Sequence, residues 1–147
     1  MARSILAVVV AYVVMFVLAF IAFATAFLAL DPGIIFKPGI YQASLTWIGI
    51  AFVIQLVIAI IGGFVCAAIA KGGRAPLALA ILAIVLGIGV ALADMNKAKA
   101  NAGLVRNGNP SRLEAVQKAY WPIAVPFAFP FVSAVGIGIG GKLKRRS

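Results

Sequence analysis

Trp121–Gly141, WPIAVPFAFPFVSAVGIGIGG, runs about 21 residues without a charged side chain. As an α-helix it would extend roughly 31 Å, enough to cover the hydrocarbon core of a bilayer. Pro122, Pro126 and Pro130 recur at every fourth position of its first half, and Gly136, Gly138, Gly140 and Gly141 fill the second, just ahead of the basic tail KLKRRS. Proline has no amide proton. A helix through Pro126 and Pro130 therefore leaves the carbonyls of Pro122 and Pro126 without their usual donors. No side chain of the stretch before Ser133 can serve them. Glycines at close spacing let a second backbone approach. The stretch reads as the last membrane span and as the surface most in need of neighbours.

Composition places the whole chain in the same class. It has 147 residues, 65% of them apolar, and a mean hydropathy of +1.16, against roughly 45–50% apolar in soluble domains. The length suits a single membrane domain. Thirteen Lys and Arg face three acids, Asp31, Asp94 and Glu114, for a net charge of +10. In a membrane protein such a balance signals orientation and contact with anionic headgroups. Nucleic acid is not expected as a partner, because the cations sit in separate short loops.

Working outward, residues 4–30 form a first uncharged span after Arg3, too long for a cleaved signal. Ala7 and Ala11, then Ala22 and Ala26, share faces on it. Asp31-Pro32-Gly33 ends that helix and Lys37-Pro38-Gly39 repeats the turn. Ile34, Ile35 and Phe36 between them are expected in the interface, with Tyr41 and Trp47 in an aromatic belt. A second span covers 44–70, with Ser44 as N-cap. Gln55 is its one strongly polar residue, read as interhelical glue. Ala59, Gly63 and Ala67 share a face near its end, a seam for another helix of this chain or of a second subunit. After the turn Lys71–Arg74, a short third span is expected over 77–94, where Ala83, Gly87 and Ala91 make a further seam.

The polar loop 95–120 continues the third helix through Lys99 and breaks near Asn101-Ala102-Gly103. Asn107-Gly108-Asn109-Pro110 signals a turn. Ser111 and Glu114 then form a capping box opening a short amphipathic interfacial helix, with Leu113, Val116 and Tyr120 on one face. The expected fold is thus an all-α four-helix transmembrane bundle with an interfacial helix before the last span, here 121–141.

The positive-inside rule puts both termini in the cytoplasm. Arg3, Lys71, Arg74, Lys142, Lys144, Arg145 and Arg146 then lie inside, and Lys37, Lys97, Lys99, Arg106, Arg112 and Lys118 outside. The majority is one residue. A re-entrant third span would improve that count but strand the basic tail outside. Four crossings are preferred, with Lys97, Lys99, Arg106, Arg112 and Lys118 expected to contact a partner or headgroups.

The chemistry available is sparse. There is no histidine and one cysteine, Cys66, so the commonest metal ligand, the commonest general base and any intrachain disulfide are missing. The three acids share no helix face, and no catalytic, cofactor or metal site is expected. The first span has no acid for cation coupling. The expected role is a non-catalytic accessory, scaffolding or self-assembling subunit in a bacterial cytoplasmic membrane. It would pack on itself or other subunits through Gly63, Ala67, Ala83, Gly87, Ala91, Pro126, Pro130, Gly136 and Gly140. The alternatives are a small channel or transporter without an intramembrane acid, and a lipid- or quinone-binding subunit using Phe127, Phe129 and Phe131.

Overall fold

The computed structural model describes residues 1–106 and 111–147; the turn expected at 107–110 lies outside them. The order of elements is α1 (Ala2–Ala29), α2 (Pro32–Ile35), α3 (Leu45–Ala70), α4 (Ala75–Asn101), α5 (Arg112–Lys118) and α6 (Ala124–Arg146). Helices α1, α3, α4 and α6 are each long and apolar enough to cross a membrane. The protein is an all-α, multi-pass membrane bundle.

Cross-links between ends fix the topology. Arg3 donates to the Ile69 carbonyl at 2.8 Å and Arg145 to the Gly73 carbonyl at 2.7 Å. Both termini and the 71–74 turn therefore share one end. Arg112 donates to the Phe27 and Leu30 carbonyls at 2.8 and 3.2 Å, and Lys97 to the Val116 carbonyl at 3.3 Å. The other end thus gathers the loop after α1 and the segment after α4.

Two elements depart from the sequence reading. Helix α4 has 27 residues, about 40 Å at 1.5 Å per residue, so the short third span is the apolar part of a longer helix and crosses fully. Backbone hydrogen bonding continues past Asp94 because Met95–Asn101 contains good helix formers and no breaker. The last span is shifted: α6 starts at Ala124 and carries the basic tail as helix to Arg146. Trp121 and Pro122 lie before it. Pro126 therefore falls in the first turn, where amide protons have no intrahelical partner anyway. Only Pro130 is interior, freeing one carbonyl, that of Pro126, rather than two.

The bundle has two cores. One, within the spans, is built of small residues: Ala7, Ala11 and Met15 of α1, Ala59 and Cys66 of α3, Leu79 and Ala83 of α4, and Ile137 of α6. The seam glycines explain its density. A β-carbon on Gly136 would stand 2.6 Å from that of Ala59, and one on Gly140 would stand 2.8 Å from the Phe64 nitrogen and closer still to the Ile60 carbonyl. One on Gly63 would collide with the Ile137 backbone. The α3 seam thus finds its partner, α6, inside the same chain.

The second core caps the bundle. Phe36 pairs with Ala43, Ile40 with Val105 and Gln42 with Tyr120 as isolated bridges. Ala43 donates to the Tyr120 carbonyl at 2.9 Å and Arg106 to that of Gly39 at 2.8 Å. Ile35, Phe36, Tyr41, Trp47, Ala115 and Tyr120 are buried beneath this weave. Tyr41 is 2% exposed and Trp47 5%, so they belong to the cap core and not to a lipid-facing belt. Ile35 and Phe36 likewise turn inward, leaving Ile34 outside. Burial at α5 is set by Ala115, whereas Leu113 and Val116 stay exposed. The expected apolar face of Leu113, Val116 and Tyr120 is split because Tyr120 lies beyond the helix in a bridge.

Candidate functional site

Helix α1 carries phenylalanine at 16, 20, 23 and 27, spacings that place bulky rings along one side of the helix. Helices α1 and α4 touch little, while α3 and α6 pack along their lengths. The space left is a cavity of about 760 Å³, within the range of small-molecule sites. Phe16, Phe20 and Phe23 of α1 line it, as do Gln55 and Ile58 of α3, Ala83, Gly87, Val90 and Asp94 of α4, and Phe129, Pro130 and Ser133 of α6.

One side of the cavity opens to the outside of the bundle. Phe16 and Phe20 are 66% and 71% exposed and Val90 61%. This row of exposed apolar lining side chains marks a lateral opening between α1 and α4. The cap closes the end. Trp47 and Trp121 stack there with ring centres 6.3 Å apart and planes at 11°, and Phe129 meets Trp121 edge-on at 5.3 Å. Both tryptophans and Tyr120 line the cavity.

Polar groups occur at two depths. Gln55 donates its amide to Ser133 Oγ at 2.7 Å, and Ser133 donates its only hydroxyl proton to the Phe129 carbonyl at 3.0 Å. Ser133 must therefore accept from Gln55, which leaves the Gln55 carbonyl oxygen free of any partner among the described residues. The second polar level is at the cap, where Asp94 and Lys97 line the cavity one turn apart on α4. Lys97 turns to the Val116 carbonyl of α5. The one ion pair among the described residues is Lys118–Glu114 at 2.6 Å, so the half-buried Asp94 carboxylate has no direct ion-pair partner and feels only the nearby Lys97 charge.

The seam and loop residues fall as follows. Gly63, Gly136 and Gly140 form the α3–α6 contact, and Gly87 lies against the Pro130 ring, whose Cγ would be 2.5 Å from an added β-carbon. Ala67, Ala83, Ala91, Pro126 and Pro130 are buried. Four of the five loop cations are engaged by the chain itself. Lys97 and Arg112 bond to carbonyls as above, Arg106 donates to the Lys37 carbonyl at 3.3 Å and lies over the Phe36 ring at 5.6 Å, and Lys118 binds Glu114. Lys99 has no such bond among the described residues. These cations tie the loop down as a lid. Phe129 lines the cavity, while Phe127 and Phe131 do not.

On the lid, the hydrogen bond from Lys118, and then its charge, hold the Glu114 carboxyl below the usual carboxylate range. The same bond pushes the Lys118 ammonium up. Ser111 Oγ accepts from the Glu114 amide at 3.2 Å, which is half of the expected capping box.

Sequence reading assigned Asp94 to the end of a helix and so passed over it. The signal was present: if the helix runs through Lys99, Asp94 sits more than a turn inside it beside a long apolar face. Trp47, Trp121 and Phe23 had no local signal, because three distant segments bring them together. Among the described residues no three metal-ligating side chains converge.

The arrangement defines a class of protein: a multi-pass helical membrane protein with a capped cavity that opens sideways between α1 and α4. The chain matches no family model, no curated protein and no solved structure.

Proposed function

We propose that this protein is a non-catalytic membrane protein that takes a lipid-like amphiphile from the bilayer into the cavity between α1, α3, α4 and α6. One observation carries the reading: an aromatic cavity of about 760 Å³ that is open to the acyl region along α1 and α4 and closed by a lid at the polar end. Such a shape admits a chain sideways and retains a headgroup under the cap. The Gln55–Ser133 pair offers one acceptor at depth, and an apolar lining excludes water from the rest. The reading places the protein in a bacterial cytoplasmic membrane with both termini cytoplasmic, the lid on the far side, and contact with anionic headgroups through the basic tail.

The scaffold reading loses its main support, since the seams that suggested association are filled by α3 against α6 within one chain. A passive path is favoured less than binding, because the cap closes one end of the cavity.

Native mass spectrometry of gently solubilised protein tests the proposal. A retained adduct of lipid mass is expected, and Ala24→Phe, which fills the lining on α1, should remove it with helix content unchanged. If the adduct persists in that variant, or none is found in the native chain, the binding reading fails. Co-migration with a larger assembly in the same preparation would restore the subunit reading.

A further inference from the structure

We infer that the cavity's headgroup site is built for a zwitterion, an ammonium beside a phosphate as in an aminophospholipid. The ammonium would sit at Asp94 and the phosphate at Lys97. The inference rests on the lipid-binding reading and adds the substrate class.

The first argument is length. On α4 the lining runs from Ala83 to Lys97, about 21 Å of helix at 1.5 Å per residue. One leaflet, hydrocarbon plus headgroup region, is also about 20–22 Å thick. A ligand filling the cavity from the Gln55 level to the cap has the dimensions of one leaflet's lipid, with its head under the lid.

The second argument is charge. Asp94 and Lys97 both line the cavity one turn apart, where side chains are neighbours on the helix surface. They form no ion pair: the only one among the described residues is Lys118–Glu114, and Lys97 is drawn to the Val116 carbonyl on α5. The half-buried carboxylate thus has no directly bonded cation, only the Lys97 charge one turn away, and an apolar, aromatic lining makes such a position costly unless something occupies it. A simple cation would meet Lys97 as well, and a simple anion would meet Asp94. A head carrying both signs satisfies both. Tyr120 and Trp121 also line the cavity, which places aromatic rings in the same site as the ammonium.

The protein supplies its own reporter, since its two tryptophans, Trp47 and Trp121, both line the cavity. The full chain in maltoside micelles would be titrated with lipids of one brominated acyl composition and three headgroups. These are phosphatidylethanolamine, phosphatidylglycerol and the headgroup-free diacylglycerol. Saturable tryptophan quenching is expected, with phosphatidylethanolamine binding about tenfold tighter than either of the others, the effect of one charge-assisted hydrogen bond. Asp94→Asn should abolish the preference over phosphatidylglycerol, and Lys97→Gln should reduce, without abolishing, the preference over diacylglycerol, because the ammonium contact to Asp94 remains. If no lipid quenches saturably, the cavity reading itself falls. If all three quench alike, or Asp94→Asn keeps the full preference, lipid binding stands and the zwitterion site is overturned. Should a variant not fold, the headgroup series on the native chain still decides.

Discussion

Two sides of the same bundle solve opposite problems. Along α3 and α6, glycine and alanine bring backbones together until a single added carbon would strike a carbonyl or an amide. Along α1 and α4 the helices touch little, and phenylalanines, branched residues and a few small ones line a cavity between them. Both sides are built of helices apolar enough to span a membrane, so hydrophobicity alone does not separate a packed seam from a binding site. Lipid tails are as apolar as leucine, and close association in a membrane comes from van der Waals contact that only small residues permit. The difference lies in side-chain volume at facing positions. Burial agrees: the apolar window of α1 is 17% buried against 39% for α3 and for α6, which makes α1 the helix free to stand off.

The largest test breaks the seam. Gly140→Ala should destabilise the bundle by about 3 kcal/mol, the upper end for overpacking, because the obstacle is the Ile60 carbonyl and not a flexible side chain. Gly138→Ala, two residues away and facing open space, should be neutral or stabilising by up to about 1 kcal/mol from helix propensity. Unfolding in detergent monitored by circular dichroism measures both. Equal effects would remove the distinction between the two sides.

The next test sits where the seam meets the cavity. Gln55→Leu removes the donor to Ser133 but leaves Ser133 bonded to the Phe129 carbonyl. A loss of roughly 1 kcal/mol is expected in the same unfolding assay. A loss of several would mean that the pair holds α3 and α6 together as strongly as the glycines do.

Smaller effects concern the lid. Ser111→Ala deletes the bond to the Glu114 amide and should cost about 1 kcal/mol of α5 stability. It should be read as faster amide exchange in Arg112–Lys118 while the spans stay protected. If the spans exchange faster too, lid and bundle form one cooperative unit.

The smallest effect is pH-dependent. Glu114 is depressed by Lys118, so its contribution is present above the usual carboxylate range and fades as pH falls through its folded value. Lys118 is raised, so its share is present at neutral pH and lost only as pH climbs through its own elevated value. Acidification should speed exchange in α5, and Glu114→Gln should remove that sensitivity. The pair is half-exposed, and salt should weaken it.

Much of the fold was legible in the chain. Four apolar runs of spanning length, Ser44 as the cap of α3, Ser111 as the cap of α5 and the basic termini at one end all follow from local chemistry. Gly63 with Ala59 and Ala67 on α3, and Gly136 with Gly140 on α6, were readable as contact positions because four-residue spacing puts each set on one helix face. Their partner was not readable, since a seam looks the same whether it meets its own chain or another. The loop cations show the same limit. Arg112 reads as a surface charge until the structure brings the Phe27 and Leu30 carbonyls to it.

Trp121–Gly141 shows the division most clearly. Its lack of charge, its prolines and its glycines determined by themselves that a last span lies here and that it needs close neighbours. Where the helix starts was decided by tertiary structure. Trp121 stacks on Trp47 and the chain at Tyr120 is bridged to Gln42, so the helix begins only at Ala124 and Pro126 falls where its missing proton costs nothing. The cavity belongs wholly to that second category. It is the gap left where α1 and α4 touch little, and a gap depends on which helices are set side by side.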